Sequence, residues 1–189
     1  MVQPRQRGGH SLQEIYEKLE RIDNKVEPQG FVYIPRTGQA ICWDPDGPAW
    51  VEVSCDGTGR DGDLKKGLAW PDPRFTDNGN GTVTDNLTEL VWLKNANCAG
   101  VNRDWSTALS DITSLNTDGR MNGNSCGDTS NGGVHQTNWR LPNIRELLSL
   151  IDYGRASPAL PSGRPFQNFP SPALYWSSTT RAGDKVVAP

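Results

Sequence analysis

The chain of 189 residues carries a formal charge of −3 with its Lys and Arg residues scattered, which excludes a broad basic face for a phosphate backbone and limits the protein to one domain of ordinary size plus a short appendage. No apolar run approaches the roughly 20 residues that span a bilayer, and no apolar h-region follows MVQPRQRGGH, so neither a membrane helix nor a signal peptide is read and residues 1–10 form a disordered or leader-like start. With 20 Gly and 14 Pro against 34% hydrophobic residues, the composition predicts many turns, few long regular elements and a core that leans on seven Trp.

Residues 11–27 open with a capping box, Ser11 with Glu14, and Leu12, Ile15, Leu19, Ile22 and Val26 recur at alternating spacings of three and four. That is the seam of an amphipathic heptad helix. Leu at a with Ile at d favours trimers or tetramers, and Lys18 at g with Asp23 at the following e forms an opposite-charge pair between neighbouring helices. Two heptads are marginal in water on their own. The helix is therefore either the oligomerising stalk of a multimeric head, with copies of the same chain as partners, or a single helix docked on its own domain. Pro28 and Gly30 end it, 28–32 is a linker, and 33–189 is the domain.

FVYIP, from Phe31, has the pattern of a short strand, and a turn-rich region follows to Pro73. Within it, CWDPDGPAWVEVSC places a DPDG turn between two short extended pieces. Asp44, Asp46, Asp56, Asp61 and Asp63 offer oxygen ligands for Ca²⁺, but DPDG and DGTGRDGD match no complete calcium loop, and Asp-Gly pairs are ordinary turn chemistry. Next, RFTDNGNGTVTDNLTELVWLKN predicts a hairpin turning at Asn78 to Gly81, then a strand over Leu90 to Leu93. The sequons at Asn80 and Asn86 matter only in a glycosylating eukaryote.

Cys42, Cys55, Cys98 and Cys126 are even in number, lack C-x-x-C spacing and have only His10 and His135 to complete a zinc site, so disulfides are preferred to metal. Three pairings are possible. The local one, Cys42 with Cys55 and Cys98 with Cys126, closes two loop-rich segments; buried free thiols are the alternative. Disulfides imply an oxidising compartment, hence an extracellular or cell-surface location. No cofactor or metal is expected.

RDWSTALSDITSLN begins with Asp104 as N-cap, and Trp105, Ala108, Leu109, Ile112 and Leu115 predict a helix with one buried face. A Gly/Asn/Ser-rich loop, 117–133, follows. In NWRLPNIRELLSLID, Asn143 and Glu146 form a second capping box and Ile144, Leu147, Leu148 and Ile151 a second apolar stripe, with Arg140 pairing to a local carboxylate or carbonyls. Trp139, Arg140, Leu141 and Pro142, together with Trp176 in a short extended run near the end, are read as a structural core motif.

In order, PRTGQAICWDPDG, GLAWPDPRFTDNGNGTVTDNLTELVWLKNANC, DWSTAL, NWRLPNIRELLSLIDYG, SPALPSGRPF and YWSSTT resemble the successive blocks of the bacterial domain family named after the C-terminal domain of the Legionella collagen-like protein, over roughly Tyr33 to Thr180. The W-x-x-A-L helix followed by R-L-P is also similar to the formylglycine-generating enzyme group. The resemblance implies a C-type-lectin-like α+β fold: two helices, short twisted antiparallel strands, and long loops carrying the binding surface. It also implies a secreted or surface domain, the name-giving member being an adhesin that binds sulfated glycosaminoglycans as a trimer. Two departures stand out. The chain stops at RAGDKVVAP where the family continues with further strands, so those strands are expected to be missing or supplied by another chain, and a net −3 without a Lys/Arg cluster disfavours a polysulfated ligand.

Two His and no H-E-x-x-H, G-x-S-x-G or P-loop leave no catalytic constellation, and no cysteine follows Cys126 to serve a formylglycine-type oxidase, so no enzyme is expected. The E-P-N and W-N-D triplets of calcium-dependent sugar binding are missing as well. Recognition is usually carried by loops on a rigid scaffold. That puts the candidate ligand surface on 117–133 and on the Pro-rich segment 155–172, with Arg155, Arg164 and Phe166. The expected function is a binding or adhesion module for a glycan or protein ligand; the alternative is a structural subunit of a surface filament or phage-like appendage, assembled by strand addition from a neighbour. Light scattering over a concentration series should return a defined multiple of the chain mass. A monomer at every concentration would sink both the stalk and the filament, and open-ended assembly the simple adhesin.

Overall fold

A computed structural model describes residues 34–44, 51–156, 159–170 and 174–180, all within one compact unit, Ile34–Pro189. The heptad positions Leu12, Ile15, Leu19, Ile22 and Val26 and most of the DPDG turn lie outside the described residues. Among the described residues no helix is long and apolar enough to cross a membrane. Those residues form a small mixed arrangement of short antiparallel strands and three helices.

The two extended pieces around DPDG are β1 (Cys42–Asp44) and β2 (Val51–Val53), paired antiparallel with Cys42 opposite Val53. The Cys42–Cys55 disulfide, with a Cα separation of 5.2 Å, staples their open end. A single helical turn, α1 (Asp61–Leu64), packs on this disulfide through Gly62, where any Cβ would collide with the Cys55 sulfur. Asp63 shapes a local turn by accepting from the Gly59 N–H, and Asp61 accepts from the Thr37 hydroxyl, far off in the chain.

The central sheet is a meander of β3 (Phe75–Asp77), β4 (Thr82–Asp85) and β5 (Val91–Leu93). The turn falls where the sequence predicts it, with the Asp77 carboxylate accepting from Gly79 N–H and Asn78 N–H donating to the Thr82 carbonyl. Phe75, Val83, Leu150 and Leu160 are buried together, and Trp92, Leu147, Phe166 and Phe169 pack around them. Beside this core lies a buried ion pair. Arg74 Nε and Nη2 donate to the two Asp85 oxygens at 2.7 and 2.9 Å, Nη2 also reaches the Ser149 carbonyl at 2.9 Å, and the guanidinium sits 4.7 Å from the Trp70 ring and 5.1 Å from that of Phe75.

The Asp104-capped helix is α2 (Trp105–Asp118). Its buried face is Ala108, Asp111 and Leu115, and Leu109, expected in the stripe, is 38% exposed. Asp111 takes an inward position because Arg103 grips both of its oxygens at 2.7 and 2.9 Å, which offsets the cost of burying the carboxylate. The region read as one loop, 117–133, contains the end of α2 and a hairpin, β6 (Arg120–Met121) with β7 (Asn124–Ser125). Asn122 and Gly123 turn it with φ of 50° and 78°, as a two-residue Asn-Gly hairpin requires. The Cys98–Cys126 disulfide buries with Leu115 to form a second core, against which Leu93, Ile112, Met121 and Trp139 pack.

Helix α3 (Ile144–Ser149) carries the expected capping box between Asn143 and Glu146. It ends after six residues. The predicted stripe is therefore cut short: Leu148 is 48% exposed, and the buried apolar residue is Leu150, just beyond the helix.

Burial raises the Asp85 carboxyl, but the Arg74 guanidinium, the Leu87 N–H and the Thr88 hydroxyl outweigh it and hold the group below the ordinary carboxylate value. A depressed folded value means that the stabilisation is complete above the unfolded value, about pH 4, and is lost as pH falls through the folded one. Asp85→Asn should therefore unfold at lower urea at pH 7, by about 3 kcal/mol, because Arg74 is left buried without its counter-charge. It should also lose less stability than the native chain between pH 4 and pH 2; equal acid losses in both proteins would show that Asp85 is not the group responsible.

Candidate functional site

The tryptophan-arginine-proline motif is a joint between elements. The Asn116 side chain accepts from the Trp139 N–H at 2.7 Å and donates to the Trp139 carbonyl at 2.9 Å, which mimics one rung of a strand ladder from the flank of α2. The Trp139 indole donates to Asp128, a buried carboxylate that also accepts from Ser130 and from the Gln136 N–H. Burial raises the Asp128 carboxyl, and these donors together outweigh it and leave the group lowered. Arg140 grips Glu146 with two bonds of 2.7 and 2.6 Å, and this contact is the main reason why the Glu146 carboxyl is lowered to about 2. Leu141 and Pro142 are half-buried, and the Pro142 carbonyl accepts from the Ser178 N–H.

The end of the described chain is secured to the same joint. Trp176 donates from its indole to the Arg103 carbonyl, Trp105 donates to the Ser177 carbonyl, and the Thr179 hydroxyl accepts from the Ile144 N–H at the start of α3.

The three loop residues singled out from the sequence occupy two places. Phe166 packs in the first core, edge-on to Phe75 at 5.2 Å and to Phe169 at 6.3 Å, and Arg164 lies over the Phe169 ring at 5.4 Å, so these two share one aromatic cluster. Arg155 is engaged apart from them with Asp152, at 3.3 Å.

The two loop regions nevertheless converge. Ser125, Cys126 and Gly127 from the disulfide-tied hairpin, Gln167 and Asn168 from the Pro-rich segment, and Gly81, Lys94 and Asn95 from the meander line a shallow cleft of about 200 Å³. Its walls are held by backbone pairing: Gln167 N–H donates to the Lys94 carbonyl, Ala96 N–H to that of Gln167, and Thr129 N–H to that of Asn80, each at 2.9 Å. Gly81, at φ 82°, touches the Gly127 carbonyl so closely that no Cβ fits between. Asn168 is held at φ 59° and donates from its carboxamide to that of Asn95.

Chemically the cleft offers three carboxamides, a hydroxyl and one ammonium. The ammonium of Lys94 is already bound to Asp77 at 2.6 Å, and this contact holds the Asp77 carboxyl low. Each carboxamide presents donors and an acceptor, so the surface matches hydroxyl and amide groups better than an anion. The Gln167 side chain is exposed and has no partner among the described residues. Sequence reasoning named both loops but none of Lys94, Asn95, Ser125, Gln167 or Asn168, since isolated polar residues in separate loops carry no periodicity or spacing signal.

The model of one family, the Lcl C-terminal domain, matches residues 81–188, more than half of the chain. The chain belongs to this family. Its match begins at Gly81, so the blocks from Tyr33 to Asn80 that share the resemblance lie ahead of the matched stretch. All eight residues lining the cleft fall inside the Lcl C-terminal domain. No curated protein and no solved structure matches the chain.

The contact between Gly81 and Gly127 makes the cleft's geometry open to test. Gly81→Ala places a side chain at positive φ against a backbone carbonyl and should cost more than about 1 kcal/mol, read as a lowered midpoint of thermal unfolding. Gly79→Ala, at similar φ but with open space around it, should cost less. Equal losses would mean that the approach of the two loops contributes nothing.

Proposed function

We propose that this Lcl C-terminal domain is a non-enzymatic extracellular or cell-surface binding module that takes a neutral glycan in the carboxamide-lined cleft of a C-type-lectin-like head. The observation that carries the reading is the convergence of Asn95, Gln167 and Asn168 with Ser125 at the meeting point of three loops. Carboxamides satisfy the mixed donor and acceptor pattern of sugar hydroxyls without the charge that a sulfated ligand would need. Lys94, the ionisable side chain in the lining, is engaged by Asp77, so the polar groups left to meet a ligand are the carboxamides and the Ser125 hydroxyl.

Family membership supports a surface-associated domain, and the two disulfides are compatible with an oxidising compartment. A shallow cleft binds weakly. The heptad positions Leu12, Ile15, Leu19, Ile22 and Val26 would offset this by presenting several heads on one oligomer, which raises avidity without any new contact.

A glycan array probed with the full chain tests the reading. Binding to neutral glycans is expected, and Gln167→Ala should weaken it about tenfold, the equivalent of losing one well-formed hydrogen bond. Silence across the array, or binding that Gln167→Ala leaves untouched, would overturn the assignment; capture of a protein ligand at the same residues would replace the glycan with a polypeptide.

A further inference from the structure

A second cleft of about 200 Å³ lies far earlier in the sequence, lined by residues 36–40 with Asp61, Lys65 and Trp70, and therefore outside the Lcl match. We infer that it is a saccharide subsite in which one pyranose ring stacks on the Trp70 indole. The inference does not depend on the carboxamide cleft.

Trp70 is fixed before any ligand arrives. Its indole N–H donates to the Arg36 carbonyl at 2.9 Å, and the Arg74 guanidinium, itself locked by Asp85 and the Ser149 carbonyl, lies over its ring at 4.7 Å. Gly38, at φ 81°, meets the edge of the same ring where any Cβ would collide with it, so the lining backbone is pressed against the indole. A half-buried aromatic wall held this rigidly loses little freedom on binding.

Around that wall the polar groups are of both signs and both hydrogen-bonding kinds. Gln39 and Lys65 have side chains with no partner among the described residues, and Asp61 keeps one oxygen free of its bond from Thr37. A pyranose has an apolar C–H face to lay on an indole and a ring of hydroxyls that both donate and accept, which matches this rim. A nucleotide also stacks on Trp, and Arg36 and Lys65 stand beside Asp61 in the lining, so adenosine monophosphate is the competitor that the test must separate from a sugar. The hollow holds one ring, not an extended strand.

The test is a nitrogen-15 correlation spectrum of the full chain, titrated separately with cellotetraose, chitotetraose, maltotetraose and adenosine monophosphate. The Trp70 indole signal is identified as the one missing from Trp70→Phe. At least one of the three sugars should shift this signal and the Gln39 and Lys65 amides saturably, and the double variant Gln39→Ala with Lys65→Ala, both at the rim and outside the core, should weaken that response about tenfold. No shift at Trp70 with any of the three sugars overturns the inference, as does a shift produced by the nucleotide alone. Shifts confined to Gln167 and Asn168 would refute this site and leave the carboxamide cleft standing; shifts confined to Trp70 would do the reverse.

Discussion

The buried pair of Arg74 and Asp85 is the contact on which the other parts of the described fold lean. Its side chains are 5% and 0% exposed, so both charges have left water, and each must be repaid by bonds of good geometry. They are. Asp85 receives four bonds, two from Arg74 and one each from the Leu87 N–H and the Thr88 hydroxyl, which shape the turn between β4 and β5. Arg74 returns to the last turn of α3 through the Ser149 carbonyl and lies over the Trp70 and Phe75 rings. One ion pair thus joins the sheet, the short helix and the wall of the Trp70 cleft.

Around it, a chain rich in Gly and Pro compensates for short elements with point fasteners. Strands of two to four residues and a helix of six cannot hold themselves together by length. Asn116 clamps the Trp139 backbone, Asp128 gathers Ser130, Gln136 and the Trp139 indole, and the indoles of Trp105 and Trp176 reach carbonyls across the fold. The disulfides do the same by covalent means, each burying its sulfurs where a larger domain would place aliphatic side chains. Both clefts follow from this manner of construction, since they open where fastened loops meet the ends of short elements, Asp61 of α1 in one and Ser125 of β7 in the other.

Legibility in the sequence followed the range of the interaction. The capping box of Asn143 and Glu146, the Asp104 cap, the turn at Asn78 to Gly81 and the local cysteine pairing all involve residues close in the chain, and all are observed. The Asn122-Gly123 hairpin was equally local and readable, but the polar run around it has the composition of a loop and hides a strand pair of two residues each. Leu109 and Leu148 fail for a different reason. Periodicity assumes that the apolar stripe is the buried face, whereas Arg103 makes an acidic residue the better inward choice on α2, and α3 stops before its stripe is complete.

What the sequence determined by itself was the caps of α2 and α3, the turn of the central hairpin, a preference for the local cysteine pairing and the family, because each rests on near neighbours or on a series of blocks read in order. Tertiary structure alone decided that Arg74 faces Asp85 and Ser149, that Phe166 packs half-buried against the first core, and that Lys94, Asn95, Ser125, Gln167 and Asn168 line one cleft. The two Arg74 pairings span 11 and 75 positions of chain. Nothing in local spacing encodes such contacts, since they are selected by which buried charges and carboxamides can find partners once the loops have been fastened in place.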